Sequence, residues 1–227
     1  MKRTGLRTLL FAFFVLLMVA APVSAASNIP DYHGSRHVKV VALTFDDGYS
    51  PLRVRQILAI LESNHVPATF FPYANAMKLS PTTWRMVAKA GYPVGDHTIS
   101  HPDLTTLSTA SDRSQICGFR HIADPILGKA SLDWFRPPYG AWNARIAAVA
   151  ASCGYGHMLL WDVDTRDWSG ISSSLIASRA LGGTDGSIIL MHAGPANTPA
   201  ALQRIINGYR ARGFKFVTIP QLLGSNG

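Results

Sequence analysis

Val38-Lys39-Val40-Val41-Ala42-Leu43 runs straight into Thr44-Phe45-Asp46-Asp47-Gly48. The first part is β-branched and apolar, which predicts a buried strand. A buried strand that ends in two adjacent carboxylates and a glycine is a poor core and a plausible active site. Like charges so close drive one group towards protonation unless a cation lies nearby. The segment best able to hold that cation is His97-Thr98-Ile99-Ser100-His101, with two imidazoles four residues apart.

Outward from that strand, the punctuation alternates helix and strand. Residues 26–37 read as an extended, poorly structured lead-in. Ser50-Pro51 opens a helix, with serine as N-cap and proline in the first turn, and Asn64 and Pro67 end it. A second strand covers Ala68 to Phe71. Ser80-Pro81 opens the next helix and Gly91 closes it. Pro93 to Asp96 is a short third strand leading into His97. The spacing of Ile116, Phe119, Ala123 and Ile126 predicts a helix over Ser111 to Leu127, broken near Asp124 by Pro125. Trp134-Phe135-Arg136 is a fourth strand, and Asn143 caps a helix from Ala144 to Ser152. A fifth strand spans His157 to Trp161, and a helix follows around Ser173 to Leu181. Ser187 to Met191 is the sixth strand, Thr198 to Arg212 a helix, and Phe214 to Thr218 the seventh strand. Seven mostly apolar strands alternating with helices predict a parallel α/β sheet covered on both faces, built as one domain over residues 38–227.

The residues capable of chemistry all fall at the carboxyl ends of these strands. Asp46 and Asp47 follow the first strand, His97 and His101 the third. Arg136 and the loop to Gly140 close the fourth. Asp162, Asp164 and Asp167 follow the fifth, and His192 the sixth. That is the face on which α/β barrels build active sites.

Composition bounds the rest. The chain has 227 residues, 48% hydrophobic and 15% charged, which fits a globular protein and argues against disorder. Lys2, Arg3 and Arg7 precede an apolar run from Leu9 to Ala21, then Pro22 and Val23-Ser24-Ala25. This pattern predicts a secretory signal over residues 1–25 and therefore an extracytoplasmic protein. The run is shorter than the roughly 20 residues of a membrane span, although an uncleaved anchor stays open as an alternative. Loss of the signal leaves a basic mature chain, a charge that suits either polyanions such as a cell wall or simple solubility. No basic run or arginine-rich helix points to nucleic acid. Cys117 and Cys153 are either a disulfide or two free buried thiols.

Asp47, His97 and His101 form a two-histidine, one-carboxylate set. Zinc hydrolases use three such ligands and keep a further position for water; the same set holds iron(II) in oxygenases. Asp46, left without a ligand's task, is placed as a general base, with Arg136 to hold it ionised and oriented. Asp167 is suited to fixing the tautomer of His192. Trp168 either walls a pocket, stacks on a sugar ring or belongs to the core. The histidines at 33, 37, 65, 121 and 157 have no such context and read as structural or exposed.

Assembled, these residues resemble the polysaccharide deacetylase family, also called the NodB homology domain, from Val38 to Thr218. Five motifs occur in order: Thr44-Phe45-Asp46-Asp47-Gly48, His97-Thr98-Ile99-Ser100-His101, Arg136-Pro137-Pro138-Tyr139-Gly140, Asp164-Thr165-Arg166-Asp167-Trp168 and Leu190-Met191-His192. The resemblance implies a distorted (β/α) barrel of about seven parallel strands. It implies Asp46 as catalytic base, Asp47, His97 and His101 as ligands of a divalent ion, Arg136 orienting Asp46, and Asp167 tuning His192 as general acid. It also implies that the Tyr139 backbone N–H stabilises an oxyanion and that Trp168 and Leu190 line the acetyl pocket. Many members have proline after the first motif's glycine, where this chain has Tyr49. The implied activity is hydrolysis of acetyl groups from a polysaccharide by a monomer using zinc, cobalt or another divalent ion. N-acetylglucosamine units of chitin or peptidoglycan are the expected substrate. Acetylxylan O-deacetylation, an iron(II) oxygenase and a non-catalytic wall-binding protein are the alternatives.

Overall fold

The computed structural model describes residues 29–224. The export signal expected over residues 1–25 lies outside the described residues.

The described residues contain eight strands. They are β1 (Val40–Asp47), β2 (Thr69–Pro72), β3 (Val94–Asp96), β4 (Ser131–Phe135), β5 (His157–Met158), β6 (Val163–Asp164), β7 (Ser187–His192) and β8 (Lys215–Phe216). The helices are α1 (Pro51–Ser63), α2 (Ala74–Leu79), α3 (Pro81–Lys89), α4 (Thr109–Leu127), α5 (Ala144–Ser152), α6 (Ser173–Ala180), α7 (Asn197–Ala211) and α8 (Ile219–Leu223). The strands pair in the order β5-β4-β3-β2-β1-β7-β6, with β8 beside the start of β1. Every pairing is parallel. This is the expected distorted (β/α) barrel, with β1 at its centre and buried from Val41 to Asp46.

The sheet's two outer strands, β5 and β6, are consecutive in the chain, so the short Leu159–Asp162 connection spans the gap between the rims. The lead-in reinforces that seam. The Asp31 N–H donates to the Met158 carbonyl and the Leu160 N–H to the Asp31 carbonyl, each at 2.8 Å, while the Gly34 N–H donates to the Gly186 carbonyl at 2.8 Å. The described part of the lead-in, expected to be poorly structured, is therefore part of the barrel wall.

Register sets the site. Asp46 lies level with Phe71 of β2 and His192 of β7, which brings the ends of the first and fifth motifs together. Phe45 stacks on Phe70 at 5.3 Å, and Trp84 of α3 meets Phe70 edge-on. The apolar sheet faces are thus covered by helices, as their unbroken hydrophobicity required.

Several boundaries differ from the expectation. The fifth strand shrinks to His157–Met158, the seventh to Lys215–Phe216, and β6 forms two residues that carry no strand pattern. Arg136 lies just beyond β4, although its N–H still donates to the Asp96 carbonyl at 2.9 Å. α4 runs unbroken through Pro125, because that proline sits in the last turn and forfeits one hydrogen bond near an end that Gly128 caps through the Asp124 carbonyl. The short helix α2 was not expected; its N-cap, Tyr73, makes no side-chain cap bond that would mark a start. Cys117 and Cys153 are paired, joining α4 to the C-cap of α5.

Candidate active site

Successive residues of a strand point to opposite faces, so Asp46 and Asp47 should diverge. They do not, because Asp47 takes φ +69° and Gly48 φ +75°. The left-handed turn swings both carboxylates into one cavity. Gly48 has no alternative, since a Cβ there would stand 2.3 Å from the Trp84 ring.

The second motif enters from β3. His97 is buried, and its Nδ1–H donates to the Arg136 carbonyl at 2.7 Å. The Nε2 lone pair is then left 3.8 Å from an Asp47 carboxylate oxygen. Burial, helped by the His101 ring, pulls the His97 imidazole down to about 3, so it is neutral at physiological pH. His101 Nε2 lies 3.3 Å from the same Asp47 oxygen. That oxygen, Oδ1, is buried with no hydrogen-bond partner. An imidazole lone pair facing an unpartnered carboxylate oxygen is repulsive, and a cation between them reverses the sign. One ligand atom from each of Asp47, His97 and His101 falls within 4.8 Å of the others; the Asp47 oxygen's 3.3 and 3.8 Å to the two nitrogens match the roughly 3–4 Å that ligand distances of about 2 Å set, and the full set closes on an ion with a small inward shift. The donor set therefore fits a divalent ion, and the hydrogen bond behind His97 supplies the outer support that metal-bound histidines use.

Asp46 sits beside this set, with Oδ2 3.8 Å from His97 Nε2. The fully buried Arg136 donates from Nη1 to Asp46 Oδ1 at 2.6 Å and to Thr44 Oγ at 2.9 Å, and from Nη2 to the Leu160 carbonyl at 3.2 Å. Its guanidinium lies 4.3 Å over the Phe71 ring. Arg136 was expected to hold Asp46 ionised. Burial outweighs it, and the Asp46 carboxyl is raised above the ordinary carboxylate range, with Arg136 and His192 pulling the other way. A raised carboxyl is a stronger base once ionised.

On the opposite wall, His192 Nδ1–H donates to Asp167 Oδ1 at 2.7 Å. Asp167 Oδ2 accepts the His192 backbone N–H at 2.8 Å and the Thr198 hydroxyl at 2.5 Å. Burial alone would lower the imidazole, but Asp167, with Asp46 and Asp47, raises it to about 9. His192 is thus protonated at neutral pH.

These groups surround a cavity of about 440 Å³ walled by Asp46, Asp47, His97, His101, Tyr139, Trp161, Asp164, Trp168, Leu190 and His192. Arg136 and Asp167 stand behind the wall, hydrogen-bonded to Asp46 and His192. Every residue given a role in chemistry or substrate binding from the sequence therefore converges here, whereas Asp162, grouped with them by its place after the fifth strand, does not: its carboxylate accepts Arg36 Nη2–H at 2.7 Å and the Ser187 hydroxyl and Ile188 N–H at 2.8 Å each. Trp168, for which a core position stayed open, is 57% exposed at the rim, and Tyr139, at φ +61°, is 67% exposed. Sequence reasoning missed Trp161, read as the end of a strand, and the hydroxyl partners Thr44 and Thr198. Thr44 had a signal: it is two residues before Asp46 and so faces the same way.

Residues 33–158 match the polysaccharide deacetylase family. The chain is 32% identical over 198 residues to the peptidoglycan-N-acetylglucosamine deacetylase PgdA of Listeria monocytogenes, covering 87% of this chain and 41% of that protein. It thus spans about two fifths of that relative's length. A chitooligosaccharide deacetylase of Sinorhizobium fredii is 34% identical over 195 residues, covering 80% of this chain and 90% of its own. Among solved structures, a carbohydrate esterase family 4 pseudoenzyme from Bacillus anthracis superposes with a TM-score of 0.81 at 28% identity, covering 86% of this chain and 69% of that one. With five motifs converging on one end of the barrel and matches across most of its length, the chain belongs to the polysaccharide deacetylase family.

Proposed function

We propose that the chain is an exported, metal-dependent N-deacetylase of a polysaccharide built from N-acetylglucosamine units. The observation that carries this is the unpartnered Asp47 oxygen between two imidazole nitrogens, with a second, Arg136-held carboxylate beside it. Asp47, His97 and His101 would hold the ion, and zinc suits their mixed nitrogen and oxygen donors. When bound, such an ion acidifies water and polarises a carbonyl. Asp46 takes the proton from the attacking water. Arg136 keeps the Asp46 carboxylate aimed at the cavity. The Tyr139 backbone N–H is assigned to the developing oxyanion. His192, protonated through Asp167, gives its proton to the departing amine, which an amide requires because an amine anion is a very poor leaving group. Leu190 and Trp168 are assigned to the acetyl methyl, and Trp161 extends that wall.

The substrate class is supported by the Listeria and Sinorhizobium relatives, which act on peptidoglycan N-acetylglucosamine and on chitooligosaccharides. Export is supported by the charged and apolar N-terminal pattern and by the Cys117–Cys153 disulfide, which suits an oxidising compartment. Fold likeness to a pseudoenzyme means that the barrel alone does not establish activity. The filled positions at 46, 47, 97, 101, 136 and 192 favour hydrolysis over a wall-binding module, and Asp46 and His192 favour it over an iron(II) oxygenase. The test is acetate release from chitin oligomers, peptidoglycan and acetylated xylan, with chelator and with zinc restored. Zinc-dependent release from the first two is expected. No release from any substrate after reconstitution would return the chain to the binding-module reading, and preference for xylan would make it an O-deacetylase.

A further inference from the structure

The loop that carries both imidazoles is strained. Thr98 has φ +69° and His101 φ +61°, left-handed values that side chains other than glycine's adopt at a cost. Such a conformation persists where its surroundings over-determine it. The Thr98 N–H donates to Asp96 Oδ1 at 2.5 Å and the His101 N–H to Thr98 Oγ at 3.0 Å. The Thr98 and Ile99 carbonyls each accept, at 2.9 Å, the N–H groups of Ala74 and Asn75 at the start of α2. The two remaining N–H groups, of Ile99 and Ser100, both donate to one atom: Oε1 of Gln115, at 3.2 and 3.1 Å. The other end of the same amide, Nε2, donates to Ser100 Oγ at 3.0 Å.

Gln115 reaches this loop from the middle of α4, and α4 is well placed to be an anchor. Cys117 ties it to α5, and Gly118 admits the Ile99 side chain, which a Cβ would meet at 2.7 Å. The motif between His97 and His101 is thus clamped by a side chain outside all five motifs. We infer that Gln115 is a positioning residue: by gripping both N–H groups between the two imidazoles it fixes the separation of His97 and His101, and with it the affinity for the ion. This rests on the metal reading proposed above.

The test is zinc affinity of the full chain, measured by competition with a chromophoric chelator, alongside the melting temperature of each metal-free variant. Gln115→Leu keeps the bulk and removes every polar contact; it should weaken zinc about 10-fold or more, within the range for outer-shell partners. Gln115→Glu keeps an oxygen for both N–H groups and takes the Ser100 hydroxyl as donor. It should stay within about three-fold of the parent chain, a rescue that bulk alone does not predict. Gln115→Asn is one methylene too short to reach the loop; it should weaken zinc as the leucine variant does, and it carries the test if that variant does not fold. Folded leucine or asparagine variants that bind zinc as tightly as the parent overturn the inference and leave the metal reading intact. A parent chain that holds no zinc overturns both.

Discussion

Asp167→Asn isolates what holds the proton on His192. In the parent chain the Asp167 carboxylate accepts Nδ1–H at 2.7 Å and raises the imidazole to about 9 against a burial effect of opposite sign. The amide has nearly the same shape but no charge. It leaves burial unopposed by its nearest anion, and the imidazole should return to its ordinary value of about 6.5 or below. That difference corresponds to roughly 3 kcal/mol. At about pH 8 the protonated fraction would fall from about nine tenths to about one thirtieth, so release of an amine should slow about 30-fold from this effect alone. The assay is the pH dependence of kcat for acetate release, run on the zinc-loaded parent and variant. The alkaline limb of the variant should lie two or more pH units below that of the parent, because Asp167 is the largest influence raising His192. Stability gives a second readout with its own sign. His192 is raised on folding, so its pairing with Asp167 stabilises fully below about pH 6.5 and is lost as pH rises through about 9. The variant should therefore melt lower than the parent at neutral pH, and the gap should narrow above pH 9. An alkaline limb that does not move would refute the assignment of His192 as the group that supplies the proton.

Three further outcomes follow from the same geometry. Asp46→Asn should hold zinc with near-parental affinity while acetate release falls about 10²–10⁴-fold, as removal of a general base does; loss of zinc instead would exchange the roles of Asp46 and Asp47. His192→Ala should depress N-deacetylation more than O-deacetylation, because an alkoxide leaves without the help an amine needs, and equal losses on matched amide and ester substrates would count against its role. Replacing both Cys117 and Cys153 with serine opens a loop of 36 residues and should cost about 3–4 kcal/mol in denaturant unfolding; an unchanged midpoint would mean that the contacts between α4 and α5 constrain the chain without the bond.

The order of strands and the residues at their ends were legible because buried parallel strands are written as apolar runs, and Ser-Pro, Asn and glycine mark where helices begin and stop. Short pairings leave no such mark. The two residues of β6 exist only because β7 lies beside them, and Leu159–Trp161, expected as strand, owe their shape to closing the barrel. Pro125 misled because a proline's cost depends on its place in a helix, which is fixed by where α4 ends rather than by local composition. The disulfide was undecidable for a similar reason: a spacing of 36 residues permits a bond, and only the packing of α4 on α5 brings the sulfurs together. Gln115 was invisible altogether, since a glutamine facing a loop reads like one facing water.

The least legible property is also the one that makes the site work. Among the described residues, six other than glycine have positive φ: Asp47, His65, Thr98, His101, Tyr139 and Arg166. His65 lies just past the end of α1, an ordinary place for such a turn. The other five lie in the first four motifs. Asp47 and His101 carry two of the three atoms proposed to hold the ion, Thr98 shapes the loop between the histidines, Tyr139 presents the N–H assigned to the oxyanion, and Arg166 precedes Asp167. Glycine would adopt these angles without strain, at the price of losing the side chain that is needed at 47 and 101. Each such residue costs on the order of 1 kcal/mol or more, and the sequence records none of it, because an aspartate at φ +69° is spelled like any other. The compensation comes from the Arg136, Gln115 and Asp96 hydrogen bonds and from the register of β1 between β2 and β7. That is why the motifs identify the chemistry while the geometry that allows two adjacent aspartates to share one cavity is a property of the whole barrel.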